Sequence, residues 1–297
     1  MNNIGRILLS KTSLSGNYYS YLSKKKKKKK KEMMKKKKTK KDCEKRKRSR
    51  ESNNNMVQKL YDTCKQVFAN GKAGYIPPPA DIQRLTSVLD SLEPKDIRFT
   101  APSLEFSSRS PGTKEAPLVT YIKLHECNKF SIGIFYLPPS GVIPLHNHPG
   151  MTVFSKLLAG TMHAKSYDWV KDHDHKFIHC KGREQQESGM RLAKVHVDAE
   201  LSAPCNTSVL FPESGGNLHC FKALTHCILL DVLGPPYSES EGRHCTYYQP
   251  YSYDMISFSD VKKMEVKEDE TRYAWLEERN EQFLVLGGSY DGPTIKI

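Results

Sequence analysis

The feature that most constrains the fold is a series of short apolar segments beginning near residue 117. Their lengths and their content of β-branched and aromatic residues are typical of strands: residues 118–125, 130–137, 152–158, 161–169, 192–197, 208–211, 219–223 and 227–233. Turn-forming sequences such as 138–141 and 159–160 separate these segments, and no helical pattern lies between them. Many short strands without intervening helices predict a mainly β architecture, either a sandwich or a barrel.

Two helical segments precede the strands. Apolar residues recur at helical spacing from Val57 to Phe68, after three asparagines that can cap a helix, and again from Ile82 to Leu92. Three prolines at 77–79 separate the two segments, and the second is predicted to end near Pro94. We interpret both apolar stripes as packing faces, so the helices of residues 56–94 should pack outside a barrel that spans about residues 100–297.

The net charge of +14 comes from one segment near the N-terminus. Residues 24–50 contain 19 Lys and Arg against 3 acids, whereas the residues after 50 sum to −4. We expect residues 1–55 to be a disordered Lys-rich extension, since such a run repels itself and cannot form a core. A nuclear address is favoured over a polyanion contact, which predicts a protein of the nucleus and cytoplasm; an organelle transit peptide within residues 1–23 is the weaker alternative.

The remaining composition argues against several classes of protein. No apolar run is long enough to span a bilayer, and the eight cysteines form no CxxC pair. The mildly acidic composition after residue 50 gives no reason to expect a nucleic-acid ligand for the folded part. We therefore expect an intracellular protein with reduced thiols, without a membrane partner and without direct contact to nucleic acid.

Three histidines are candidate metal ligands. His146 and His148 lie two residues apart on an extended segment, so both side chains point to the same side of the backbone. His219 follows the glycine turn Gly215–Gly216 and supplies a third imidazole. Three neutral nitrogens would leave half of an octahedral shell open for substrate and O2. Zinc bound by three histidines, in a hydrolytic or purely binding protein, is the alternative that these residues leave open.

Both histidine segments resemble the two sequence motifs of cupins, whose fold is a double-stranded β-helix, or jelly-roll barrel. The first cupin motif normally places a Glu a few residues after the histidine pair, but residues 150–154 contain no carboxylate. The second motif normally ends in Asn, where this chain has Ala223. The resemblance therefore implies a cupin barrel with a three-histidine site in place of the usual four ligands.

A narrower resemblance extends from about residue 56 to residue 297. Six sequence segments are similar to those of the plant cysteine oxidases, a family related to animal cysteamine dioxygenase: residues 144–149, 151–158, 166–169, 231–237, 242–248 and 291–293. The resemblance implies an iron(II) thiol dioxygenase that uses O2 to oxidise the N-terminal cysteine of proteins to cysteine sulfinic acid. That product marks a protein for arginylation and N-degron proteolysis, which implies a role in oxygen and hypoxia sensing.

The same resemblance implies roles for four further residues. Asp231 and Tyr237 correspond to family positions near the iron, where Asp231 would orient the substrate amine or a ligand histidine and Tyr237 would donate a hydrogen bond to bound O2 or thiolate. The alternatives are a structural acid for Asp231 and simple packing for Tyr237. Cys245 and Tyr247 resemble a pair that some thiol dioxygenases join as a thioether. The implied partners are O2 and proteins with an N-terminal cysteine, including transcription factors, and we expect a monomer.

Overall fold

The computed structural model describes residues 55–98, 117–170, 178–179, 189–255, 272–280 and 283–297. The chain divides into two units, Met1–Asn55 and Met56–Ile297. The predicted disordered extension, except for Asn55, lies outside the described residues, and the fold below is that of the second unit. No helix in the described part of the chain is long and apolar enough to cross a membrane.

Thirteen strands lie among the described residues, and they form two sheets: β1 Val119–Glu126, β2 Ser131–Leu137, β3 Val142–Asn147, β4 Thr152–Ala159, β5 Thr161–Trp169, β6 Ile178–His179, β7 Gly189–Ser202, β8 Ser208–Leu210, β9 Leu218–Ala223, β10 Cys227–Gly234, β11 Tyr247–Ser252, β12 Tyr273–Arg279 and β13 Val285–Gly288. The first sheet has the order β13-β1-β2-β10-β4-β8, and the second has the order β12-β11-β3-β9-β5-β7-β6. All pairings are antiparallel except that of β1 with β13. Because β12 also pairs with β7, the second sheet closes on itself.

The first sheet has two apolar faces, and β10 shows how they differ. Leu230 and Val232 belong to the core that the sheet shares with the helices, whereas Leu229 belongs to the core between the sheets. Asp231 and Leu233 line a cavity on that inner side. Side chains alternate between the faces of a strand, so a strand covered on both sides is apolar almost throughout, and its one carboxylate points inward.

Three helices precede the strands: α1 Met56–Val67, α2 Pro79–Asp90 and α3 Pro94–Ile97. Their apolar residues pack against the outer face of the first sheet, where the Phe68 ring meets Phe154 edge-on at 6.3 Å between centroids. A polar contact adds to this packing, since Asp90 Oδ1 lies 3.0 Å from the buried Lys156 Nζ and accepts hydrogen bonds from Thr207. The helices therefore stabilise the barrel from the outside and do not fill the cavity in its interior.

The architecture confirms the predicted mainly β, cupin-type barrel with helices packed outside. The eight predicted strands all form, but β3, β6, β11, β12 and β13 were not among them. The second helix was predicted to stop near Pro94; it ends at Asp90, and Pro94 instead begins the one-turn α3. Proline is favoured at the first helical position because its fixed φ suits a helix. The N–H group that proline lacks would have no acceptor within the helix at that position.

Candidate metal centre

Three histidines converge in the interior because β3 and β9 are neighbours. His146 on β3 is the cross-strand partner of His219 on β9, and His148 follows the end of β3. One ring nitrogen of each histidine lies within 4.8 Å of the others, and the Nε2 atoms of His148 and His219 are 3.1 Å apart. Two nitrogens bound about 2.1 Å from one ion would have a similar separation of about 3 Å. The predicted trio is therefore close enough to share one metal ion.

Hydrogen bonds on the outer side of the trio fix two of the three tautomers. His146 Nδ1 lies 2.8 Å from the Pro144 carbonyl oxygen, which can only accept, so Nδ1 carries the proton. Tyr237 donates its hydroxyl proton to the Asn147 carbonyl at 2.8 Å, so its oxygen accepts from His148 Nδ1 at 3.0 Å. In both rings the Nε2 lone pair is then left for a metal, as in metal sites whose histidines are oriented by a second partner.

Burial keeps the three imidazoles neutral. All three side chains are buried, and burial lowers the pKa of His146 to about 4. The pKa values of His148 and His219 are also lowered well below the ordinary value, first by burial and then by the neighbouring imidazoles. A neutral imidazole is the form that binds a metal, so no ligand has to lose a proton at neutral pH before the ion enters.

The turn before His219 is held by a carboxylate. Asp168 at the end of β5 accepts hydrogen bonds from the N–H of Gly216, at 2.9 and 3.1 Å, and from the N–H of Asn217, at 3.0 Å. Gly216 has a φ of +83°, and a Cβ there would lie 2.4 Å from Ser166 Oγ, so only glycine fits. The buried Asn217 side chain binds the backbone of His148 through both its amide and its carbonyl group. One turn thus positions two of the three histidines.

The sequence alone did not single out Asp168 or Asn217. Asp168 lies within residues 166–169 and Asn217 within the turn before His219, both of which were noted for other reasons. A role as the acceptor for two turn amides has no sequence signature, because it depends on the distance between β5 and the start of β9.

A second connection joins the centre to the segment that carries Cys245. Asn147 accepts a hydrogen bond from Thr246 N–H through Oδ1 at 2.9 Å, and its own N–H donates to the Thr246 carbonyl at 3.1 Å. This places Tyr247 of β11 opposite His146 of β3. The Cys245 and Tyr247 side chains share a hydrogen bond and line the same cavity. The two residues are therefore neighbours, and the thioether between them stays a prediction.

The cavity in front of the histidines has a volume of about 430 Å³ and mostly apolar walls, formed in part by Phe135, Phe221 and Leu233. Asp231 enters it from β10, and its Oδ1 atom is buried without a hydrogen-bond partner among the described residues. Burial raises the pKa of Asp231 to about 7, although a hydrogen bond with Ser155 opposes the rise. Buried polar groups are normally paired, so this carboxylate indicates that a ligand with a donor group completes its environment.

The donor set fits a divalent transition metal with open coordination positions. Among the described residues, the only cluster of His, Cys, Asp or Glu suited to a metal consists of the three histidines, without a carboxylate. Imidazole ligands suit zinc, iron, copper and nickel. The predicted metal site is therefore present as a three-histidine centre that faces a cavity.

Replacing Asp168 with Asn should weaken metal binding without preventing folding. The amide keeps only one acceptor oxygen for the turn amides, so Gly216, Asn217 and with them His148 and His219 lose their fixed positions. We expect the affinity for Co²⁺, measured by titration calorimetry, to fall about 10- to 100-fold. The matched control is Asp198→Asn, which removes a half-exposed carboxylate paired with Lys165 on the outside of the same sheet and should leave the affinity unchanged. Equal affinities for the two variants would contradict this role.

Comparison with known proteins identifies the family of this chain. The family model PCO_ADO matches residues 88–295. Plant cysteine oxidase 2 of Arabidopsis thaliana is 53% identical over 243 residues, which are 81% of this chain and 83% of that protein. Plant cysteine oxidase 1 of the same plant is 49% identical over 81% of this chain and 80% of its own length, and human 2-aminoethanethiol dioxygenase is 28% identical over 73% and 82%. The chain therefore belongs to the PCO_ADO family, together with the plant cysteine oxidases.

Proposed function

We propose that this chain is an iron(II) thiol dioxygenase that oxidises the N-terminal cysteine of protein substrates to cysteine sulfinic acid. The observation that carries the proposal is the presence, in one cavity, of a three-histidine centre and of the Asp231 carboxylate, whose Oδ1 atom has no hydrogen-bond partner among the described residues. A substrate with a thiol and an amine on adjacent carbons can place its sulfur towards the metal and its N–H groups towards Asp231. The family and the relatives named cysteine oxidase and 2-aminoethanethiol dioxygenase support this reading.

Iron is favoured over zinc by the reaction that the relatives' names describe. Zinc has no redox chemistry, whereas a dioxygenase must pass electrons from a thiol to O2. Non-haem iron enzymes that activate O2 often use two histidines and one carboxylate. Three neutral histidines instead leave the full 2+ charge of the ion, which favours an anionic thiolate ligand.

The reaction balances without another reductant. A thiolate and one O2 molecule give a sulfinate: two sulfur–oxygen bonds form, the O–O bond breaks, and sulfur supplies four electrons. Bound iron would supply the redox chemistry that lets O2 react with a thiolate. His146, His148 and His219 would hold that ion, and Tyr237 keeps His148 in the ligand tautomer. Asp231 would accept hydrogen bonds from the amine, and the apolar walls would limit water near the sulfur.

The biological role that we propose follows from the product. A sulfinate at the N-terminus of a protein would mark it for arginylation and N-degron proteolysis, and the need for O2 would couple the lifetime of the protein to hypoxia. We propose that the substrates are proteins that expose an N-terminal cysteine, including transcription factors, and that the enzyme acts as a monomer. Both proposals rest on the family relationship.

The direct test uses a Cys-initiated peptide with purified protein loaded anaerobically with Fe²⁺. After exposure to air, intact mass spectrometry should show the gain of two oxygen atoms on the peptide. His219→Ala removes a ligand and should reduce turnover by at least about 100-fold. His163→Ala, on the exposed face of the second sheet and paired with Asp198, is the matched control and should keep full activity.

Two results would count against the proposal. Tight zinc binding without O2 uptake would favour a hydrolytic or binding cupin, and a loss of thermal stability in His219→Ala without any measurable oxygenation by the parent protein would favour a structural metal.

Replacing Asp231 with Asn should separate a functional carboxylate from a structural one. The folded-state pKa of about 7 lies above the ordinary value of 3.8, so between these values the folded protein holds the extra proton and loses stability as the pH rises. In the metal-free protein, Asp231→Asn should therefore increase the free energy of unfolding at about pH 8, by roughly 1–3 kcal/mol, and change it little at about pH 4. A structural acid would instead give a less stable variant at pH 8.

The same substitution should lower the activity of the iron-loaded enzyme. A protonated Asp231 has lost the negative charge that strengthens its hydrogen bond with the substrate amine, so kcat/KM of the parent protein should decline on the acid side of its pH profile. Asp231→Asn should reduce kcat/KM by about 10- to 1000-fold and remove that acid limb. Ser155→Ala, which leaves the carboxylate in place, is the control and should retain the limb.

We propose that the Lys-rich N-terminal extension directs the protein to the nucleus while part of the population stays in the cytoplasm. The charge of residues 24–50 supports this, because dense basic clusters commonly serve as nuclear addresses. Deleting residues 1–55 should lower the nuclear fraction of a fluorescent fusion and leave turnover of the peptide unchanged. Unchanged nuclear accumulation, or accumulation of the full chain in an organelle, would contradict the assignment.

A further inference from the structure

A tyrosine that the mechanism does not use reaches into the cavity beside Asp231. Tyr121 on β1 lines the cavity, and its ring lies over Gly133 on the neighbouring β2. A Cβ at residue 133 would lie 2.5 Å from Tyr121 Cε2 and 2.8 Å from its hydroxyl oxygen. A real Cβ atom does not approach other side chains this closely, so the tyrosine can occupy this position only because residue 133 has no side chain.

The strand register brings this hydroxyl next to the Asp231 carboxylate. Gly133 is the cross-strand partner of Asp231 on β10, so the space above Gly133 is the space beside Asp231. Neighbouring cross-strand positions have Cβ atoms about 5 Å apart, within reach of one small ligand group. The structure shows no hydrogen bond to the Tyr121 hydroxyl among the described residues, which leaves its proton for a ligand in the cavity.

The hydroxyl stays a donor throughout the physiological pH range. Burial raises the pKa of Tyr121 to about 12, and the negative charges of Glu126 and Asp231 add to the rise. The site therefore offers two different groups side by side, an O–H that donates and a carboxylate that accepts.

We infer that Tyr121 determines specificity by donating a hydrogen bond to the carbonyl oxygen of the substrate's first peptide bond while Asp231 accepts from the α-amine. This inference rests on the proposed function and names the part of the substrate that the site reads. In an N-terminal residue the amine and the carbonyl are attached to the same carbon, so their nitrogen and oxygen atoms lie about 3 Å apart. The Asp231 carboxylate as acceptor and the Tyr121 hydroxyl as donor, at neighbouring positions, match the amine and the carbonyl oxygen of the substrate.

The charges around the cavity favour an amide carbonyl over a free carboxylate at this position. None of the described residues that line the cavity is Lys or Arg, and two of them, Glu126 and Asp231, are acids. A free amino acid would bring its carboxylate next to Asp231 without a cation to balance it. A peptide brings a neutral carbonyl oxygen, which Tyr121 can bind.

The test compares Tyr121→Phe on two substrates, a Cys-initiated peptide and 2-aminoethanethiol. Both contain the thiol and the amine, but only the peptide contains the carbonyl group. We expect KM for the peptide to rise about tenfold with kcat changed less than twofold, and the kinetics with 2-aminoethanethiol to stay the same. Gly133→Ala should produce the same selective loss, because the added methyl group displaces the Tyr121 ring.

Tyr136→Phe is the matched control. Tyr136 is the next tyrosine along the same two strands, but it points away from the cavity and binds His226 Nδ1 at 2.7 Å. This variant should keep the parent kinetics on both substrates.

Three outcomes would overturn the inference. Equal losses on both substrates in Tyr121→Phe would assign the tyrosine a merely structural role, and unchanged kinetics on the peptide would show that it does not bind the substrate. If the parent protein oxidises neither substrate, the proposed function itself fails, and the inference fails with it.

Discussion

The arrangement of the three histidines depends first on the pairing of β3 with β9. Backbone hydrogen bonds between these strands place His146 opposite His219 and leave His148 just beyond the end of β3. A shift of one residue would turn every side chain of a strand to the opposite face, so this register alone decides whether the imidazoles point inward. The turn that Asp168 and Asn217 hold fixes the register where the strand begins, which explains why so many hydrogen bonds lie on the outer side of the histidines.

The interior of the barrel departs from what stability alone would favour. Its walls are mostly apolar, yet it contains three uncharged imidazoles and one buried carboxylate that lacks a full set of partners within the described part of the chain. A buried carboxylate destabilises the folded state when it ionises, and the raised pKa of Asp231 is the measure of that effect. The helices and the Lys156–Asp90 ion pair on the outer face of the first sheet add stability to that of the apolar core between the sheets. The reactive groups thus share the inner face with part of the core, whereas the outer face serves packing.

Much of the fold, and the direction of two of the candidate ligands, could be predicted from local sequence. Alternating apolar residues and turn sequences predicted the eight strands that the structure confirms, and the spacing of His146 and His148 predicted a shared direction. Two of the strands that were missed have less regular patterns, because β11 contains Pro250 and β13 contains two glycines. Tertiary pairing, with β12 for β11 and with β1 for β13, stabilises these segments as strands. The one-turn α3 was missed because a proline ends one helix pattern as readily as it begins another.

The sequence by itself determined the chemistry that the site can hold: three histidines without a neighbouring acid, a carboxylate within an apolar strand, and a family whose members share these segments. Only the tertiary structure decided which groups meet. Tyr237 reaches His148, Asp168 reaches the turn before His219, and Tyr121 reaches the space beside Asp231 across Gly133. The physical reason is that a residue's chemistry is local, whereas a hydrogen bond needs two groups within about 3 Å. Strand register and sheet closure set that distance between residues far apart in the chain.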